Sequence, residues 1–374
     1  MKVIKYPILL LGLFACQSNN KATNTSESEA APIIQTEMSN QPKSEKIKPL
    51  IVSDTTAHDS DDPAIWVNPE DPSQSLILGT DKDEEGALYV FDLDGKIIPE
   101  KTIQGLKRPN NVDLEYGLDL GGKKVDIAVV TERLTHNIRI FSVPDMQAID
   151  GGGIGVFEGE TEADYRDLMG IALYKNPEDE KIYAIVGRKN GPKEGYLWQY
   201  LLEDDGNEQV KATLVRKFGA FSGKQEIEAI AVDDELGYVY YSDETVGIRK
   251  YYADPEKGND ELALFGQYGF AEDHEGISIY TLGGGKGYIL VSDQQADCFR
   301  VFPREGTEEN THEHPLLKVI PVSTSESDGS EVSPVAFNKH FAKGLFVAMS
   351  DDKTFQFYRW EDLAGEDLVV KVPQ

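Results

Sequence analysis

Between residues 58 and 69 the chain reads HDSDDPAIWVNP, with Asp59, Asp61 and Asp62 crowded into four positions before the strand-like AIWV. A turn needs one Asp to cap it; like charges this close repel unless a cation lies between them. Similar acids recur along the chain: Asp113 in RPNNVDLEYG, Glu226 and Glu228 in QEIEAIAVDDE, Asp273 and Glu275 in AEDHEGISIY, and those of SESDGSEV. Residues two apart at a strand edge point the same way, so Glu226 with Glu228, and Asp273 with Glu275, are expected to offer paired carboxylates to one ion. Hard oxygen donors without a His or Cys cluster select Ca²⁺, and less readily Mg²⁺. Of the six histidines only His312 and His314 stand at a spacing that suggests a metal, and they lie in the polar loop TEENTHEHP. No EF-hand loop is present, so the fold itself must gather the ligands. Among the acids stand Lys82, Lys107, Arg108, Arg133, Arg188 and Lys189. A face carrying bound cations and basic prongs together suits a phosphate-bearing polyanion.

The elements that position these residues are short β-branched or aromatic runs closed by Gly, Asp and Asn, a strand-and-turn pattern with little helical periodicity. Six segments share one layout: an apolar strand, a small residue followed by a polar one, a turn, and an alternating aromatic strand. Aligned on Thr80, Thr131, Gly187, Ser242, Ser292 and Ser350, they recur every 50 to 58 residues. That recurrence, with about four strand-sized pieces per unit, predicts an all-β, six-bladed β-propeller. The residues after the anchors are Asp81, Glu132, Arg188, Asp243, Asp293 and Asp351. If the repeats superpose, these are expected to ring one end near the central channel, with cations between the carboxylates.

Composition narrows the partners. Sixty-six acidic against 37 basic residues give a net charge of −29, which argues against nucleic acid and anionic membrane surfaces. The N-terminal MKVIKYPILLLGLFACQ has two lysines, an apolar run too short to span a bilayer, and a cysteine. It resembles a bacterial lipoprotein signal (residues 1–16), with LFAC as the lipobox and Cys16 as the lipidated residue of an exported, outer-membrane protein. Residues 17–49 are polar and without apolar period, and read as a flexible tether. With Cys298 the only other cysteine, no disulfide is expected.

DSDDPAIW (59–66) and NNVDLEY (110–116) resemble the two signature stretches of bacterial β-propeller phytases, calcium-dependent enzymes that remove phosphate from inositol hexakisphosphate (phytate). The likeness continues through LILGTDKDEEGALYVFDLDGK, VGRKNG, IEAIAVDDELGYVYYSDE, EDHEGISIYTLGGGKGYILVSDQ and ESDG, covering about residues 50 to 370. The resemblance implies a six-bladed propeller over 50–374, several structural and catalytic Ca²⁺ ions, a small phosphate ester as substrate, and a monomer of 3-phytase type. It implies that Asp61, Asp62, Asn111, Asp113, Glu228, Glu244, Asp273, Glu275 and Asp328 serve as calcium ligands or water-orienting acids. Lys82, Arg133 and Lys189 match the phosphate-gripping basic residues, acting with Glu228 in catalysis. Three positions depart from the pattern: Asp83 replaces a second basic residue, Met169 replaces a tyrosine, and SDQQ (292–295) replaces an SSQG-like turn. These departures weaken phosphate contacts more than calcium ligands. They leave open a related hydrolase with another phosphorylated or glycosylated substrate; a non-catalytic, calcium-stabilised binding propeller is the other alternative.

Overall fold

The computed structural model describes residues 45–371; the expected export signal, Cys16 and most of the expected tether lie outside them. Among the described residues no helix is long and apolar enough to cross a membrane. The chain forms six four-stranded antiparallel sheets, the blades of a β-propeller. The innermost strands are Ser60–Trp66, Pro109–Leu120, Leu168–Lys175, Ile230–Asp233, His274–Gly283 and Ser330–Ser333. Each repeated segment supplies the second and third strands of its blade, such as Leu76–Asp81 with Gly86–Phe91. A blade is covered on both faces by its neighbours, so the second strands are continuous apolar runs (LILG, IAVV, YAIV) rather than alternating ones. Each apolar cluster spans two adjacent blades. Ile77 and Phe91 of the first blade pack with Val347 and Phe355 of the sixth, which closes the ring.

The strand Ile51–Val52 pairs with Phe357 and Gln356 of the last blade, so the chain's beginning supplies the outer edge of its final sheet. Leu50 N–H donates to Phe357 O (2.8 Å), and Ile47 exchanges backbone hydrogen bonds with Pro321 and Ser323.

Three anchor residues of the repeat are staples between blades. Thr80 Oγ1 donates to Asn110 O (2.6 Å), Thr131 Oγ1 to Met169 O (2.8 Å), and Ser292 Oγ to Ser327 O (2.7 Å). Each hydroxyl satisfies a carbonyl at the mouth of the next blade's innermost strand, where no ladder partner is available. At this same mouth four innermost strands carry a register shift of one residue. It falls between Ser60 and Pro63, Pro109 and Val112, Leu168 and Ile171, and His274 and Ile277. Such bulges break the strict alternation of side chains and re-aim them.

A chain beginning at Ser53 should therefore fold less stably than one beginning at Glu45. Losing the closing strand and its backbone hydrogen bonds, at about 1 kcal/mol each, should lower Tm by several degrees in a thermal melt.

Candidate functional site

The bulged strand mouths and the turns after the second strands meet at one end of the ring. Glu228 precedes the fourth innermost strand, Glu244 follows the second strand Tyr238–Asp243, and Glu275 sits in the bulge of the fifth. One carboxylate oxygen from each lies within 4.8 Å of the others. Asp61, Asp328 and Lys82 complete the group: Lys82 Nζ is 3.3 Å from Asp61 Oδ2, 3.3 Å from Asp328 Oδ2 and 3.9 Å from Glu228 Oε1. Asn110 Nδ2 donates to Glu228 Oε1, and Gln294 Nε2 to Asp328 Oδ1. Glycines allow this convergence. A Cβ on Gly329 would stand 2.6 Å from Asp62 Cα and 2.8 Å from Asp61 O, and one on Gly276 would meet Asp328 O at 2.7 Å.

The oxygens of this site are short of donors. Buried oxygens without a hydrogen bond include both of Asp61, Asn110 Oδ1, Asn111 Oδ1, Glu244 Oε1, Asp273 Oδ1 and Glu275 Oε2. Leaving so many acceptors unpaired is costly unless a cation takes the missing donors' place. The set is all oxygen, fitting Ca²⁺ and not zinc. Burial, together with repulsion from Glu228, Asp273 and Glu226, pushes Glu244 up to about 8 despite an N–H bond. Burial raises Asp328 to about 6 against the pull of Lys82, and lifts Asp61 and Glu275 well above the carboxylate range. Burial opposes the charge of Lys82, but Asp61, Glu228 and Asp328 outweigh it and hold the ammonium above its usual range.

The remaining expected residues are distributed around this group. Asp62 and Asp61, though adjacent, diverge: Asp62 Oδ2 accepts from Val112 N–H (3.0 Å) and Asp62 borders the central channel. Asn111 interacts with Asp62. Asp113 is not brought to the cluster. It lines a central cavity of about 120 Å³ with Asp62 and Glu331, its oxygens accepting from Leu173 and Leu114 N–H. Asp273 stands at the cluster's rim, with Oδ2 accepting from Gln295 Nε2 (2.8 Å). Arg133 is buried; its Nε donates to Leu168 O (3.0 Å) and its Nη2 contacts Met169 Sδ. Lys189 is half-exposed and paired with Glu226 at 3.1 Å.

Two expectations need correction. Glu226 and Glu228 do not offer a pair to one ion, because residues 225–229 are irregular chain before the strand and period two does not apply there. Glu226 pairs with Lys189 while Glu228 joins Glu244 and Glu275. Nor do the residues after the anchors form a cation ring. Asp81 accepts from His58 and Asp59 N–H (3.0 and 2.6 Å), Glu132 from Lys107 N–H, Asp243 from Ser222 N–H, and Asp293 from Ala271 N–H. They pin the incoming loop of their own blade, and Arg249 and Arg300 pair with Asp243 and Asp293. Arg188 is fully buried against Phe157, with its guanidinium 4.6 Å from the ring centroid, and Asp351 is exposed. The side chains that enter the site stand one residue later, at Lys82, Arg133, Lys189, Glu244 and Gln294.

This geometry can be set beside known proteins. A model of the phytase family matches residues 18–358. The chain belongs to the phytase family. It is 30% identical over 323 residues to the 3-phytase of Bacillus subtilis (strain 168), an alignment covering 82% of this chain and 80% of that protein. As a phytase-family hydrolase it acts on a phosphorylated substrate, and its acidic group Glu228, Glu244 and Glu275 could hold a metal ion. Asn110 and Gln294 were missed by the sequence reading. Both were legible, Asn110 as the first residue of NNVDLEY and Gln294 within SDQQ (292–295).

Raised carboxyl values carry a sign. An acid whose folded value lies above its unfolded one binds more protons when folded, so stability falls as pH rises through the window between them. With chelator present, Tm should fall from about pH 4 to about pH 8, between the ordinary values of Asp328 and Glu244 and their raised ones of about 6 and about 8. Added Ca²⁺ should remove that fall, raising Tm more at the higher pH, as differential scanning fluorimetry would show.

Proposed function

We propose that this phytase-family chain is a calcium-dependent phosphomonoesterase that releases phosphate from phytate. The observation that supports this reading most is the set of unpartnered, buried oxygens on Asp61, Glu244 and Glu275 beside Lys82. Asp61, Glu228, Glu244, Glu275 and Asp328 would hold Ca²⁺, with Asp273 and Asn111 at the rim. Asp62 and Asp113 lie toward the channel, where they would hold a structural ion. When bound, calcium supplies Lewis acidity, lowering the pKa of water and drawing charge from phosphoryl oxygens. Lys82, held beside Asp61 and Asp328, would bind an equatorial phosphoryl oxygen. Arg133, anchored by Leu168 O, and Lys189 would neutralise the oxygens that gain negative charge as the bond to the leaving group breaks. Glu228, oriented by Asn110, would accept a proton from the attacking water.

A second reading is a related phosphoesterase with a less heavily phosphorylated substrate. Asp83 caps its own turn through Glu85 N–H (3.0 Å), and Met169 presents a thioether to Arg133. Neither contributes a donor to phosphate.

The test is phosphate release from phytate with Ca²⁺, then with chelator, beside a panel of monoesters. Glu228→Gln should lower kcat by about 10²-fold or more, whereas Arg133→Ala should raise KM as well as lower turnover. Absence of release from every ester would overturn the enzymatic reading. The proposal extends to residues 1–49 as an export signal, a lipid on Cys16 and a tether, the folded body being monomeric. Cys16→Ser should then move the protein from the membrane to the soluble fraction, and an unchanged distribution would refute the anchor.

A further inference from the structure

The second strand of the fifth blade, Lys286–Asp293, is followed by two consecutive amides, Gln294 and Gln295. Asp293 is pinned by Ala271 N–H (2.9 Å), and Gln294–Ala296 form a single turn of 3₁₀ helix. With about three residues per turn, neighbouring side chains project about 120° apart rather than to opposite faces, so adjacent amides can converge. Here they do: Gln295 Nε2 donates to Gln294 Oε1 (2.6 Å). The same nitrogen donates to Asp273 Oδ2 (2.8 Å), and Gln295 Oε1 accepts from Asp273 N–H (2.9 Å). Gln294 Nε2 in turn donates to Asp328 Oδ1. An unbroken row of hydrogen bonds runs from Asp273 through Gln295 and Gln294 to Asp328.

The direction of the row is set at its ends. A backbone N–H can only donate, so Gln295 turns its oxygen to Asp273 N–H and its nitrogen to the carboxylate and to Gln294. Gln294 then spends its oxygen on Gln295 and has its nitrogen for Asp328. Each acid therefore has one oxygen tied to an amide and one left over. Asp273 Oδ1 is buried and without a partner among the described residues, and Asp328 Oδ2 faces Lys82 Nζ at 3.3 Å. Nothing else holds these two side chains. Asp273 lies in irregular chain just before the strand His274–Gly283, so no sheet ladder sets its direction. Asp328 has its backbone fixed by Gly276 N–H, which donates to Asp328 O (2.6 Å), but two single bonds leave its carboxylate free to turn.

We infer that Gln294 and Gln295 are a positioning pair: they lock the Asp273 and Asp328 carboxylates across the fifth and sixth blades, so that each keeps one oxygen turned to a cation. The inference rests on the calcium reading given above and assigns two further residues to it. Carboxylates fixed before the ion arrives lose little freedom when it binds, and partners of this kind set ligand orientation and affinity. Because the two amides are bonded to each other, the rim acid and the cluster acid are held as one unit rather than separately.

Calcium titration of the chelator-stripped, full-length protein by isothermal titration calorimetry tests this. Gln295→Met and Gln294→Met keep side-chain length and remove only the amide. Each should weaken, about tenfold, the same binding step that Asp328→Asn weakens. Since the amides act in series, the double variant should lose no more than the worse of the single ones. In chelator, Gln295→Met, at an exposed position, should keep the parent's Tm, which separates lost ligand positioning from lost folding. Unchanged affinity in both single variants, or a double loss equal to the product of the single ones, overturns the pair. A parent that binds no calcium overturns the calcium reading and the pair with it. Weakened binding as expected, in a protein that releases no phosphate, leaves the pair standing and removes only the enzymatic reading.

Discussion

The structure depends on keeping like charges together at one end of a protein ring. Asp61, Glu228, Glu244, Glu275 and Asp328 approach from four different blades, and burial alone would favour the neutral forms of Asp61, Glu244, Glu275 and Asp328. Lys82 offsets part of that repulsion but is a single charge among several carboxylates. The sheets, with their apolar interfaces on every side of the ring, provide the rigidity that holds the carboxylates in place. Glycines at 276 and 329 provide the closeness, since any side chain there would meet backbone of the neighbouring strand. The result is an acidic group that could hold a metal ion.

The propeller was legible because its physical cause repeats. A strand buried on both faces must be apolar throughout, and the hydroxyls of Thr80, Thr131 and Ser292, at blade spacing, staple one blade to the next. The site was less legible, and the error was one residue. Asp81, Asp243 and Asp293 stand out by composition, yet their role is to accept backbone N–H groups, an ordinary task for Asp at a turn. Lys82, Glu244 and Gln294 differ from blade to blade because each contributes something different to the site. Function breaks the repeat that stability enforces, so repeat averaging finds the staples before it finds the chemistry.

The bulges explain the other half of the difference. In an unbroken strand Asp61 and Asp62 would simply alternate, and Asp273 with Glu275 would share a face. The register shifts at the strand mouths give adjacent residues separate tasks: Asp61 faces the cluster and Asp62 ties the first blade to the second through Val112 N–H. Asp113, one residue past the bulge that ends at Val112, is in regular register again and lines the channel with Glu331. No pattern of residue types distinguishes these outcomes. They follow from a one-residue insertion that is visible only in the pairing.

The positive charge of the site is one-sided. The basic groups Lys82, Arg133 and Lys189 come from the first three blades, and the neutral side chains of Gln225, Thr245 and Gln267 lie between the fourth and fifth. Arg133 has part of its donor set occupied by Leu168 O and Met169 Sδ, so it offers fewer N–H groups to a ligand than a free guanidinium would.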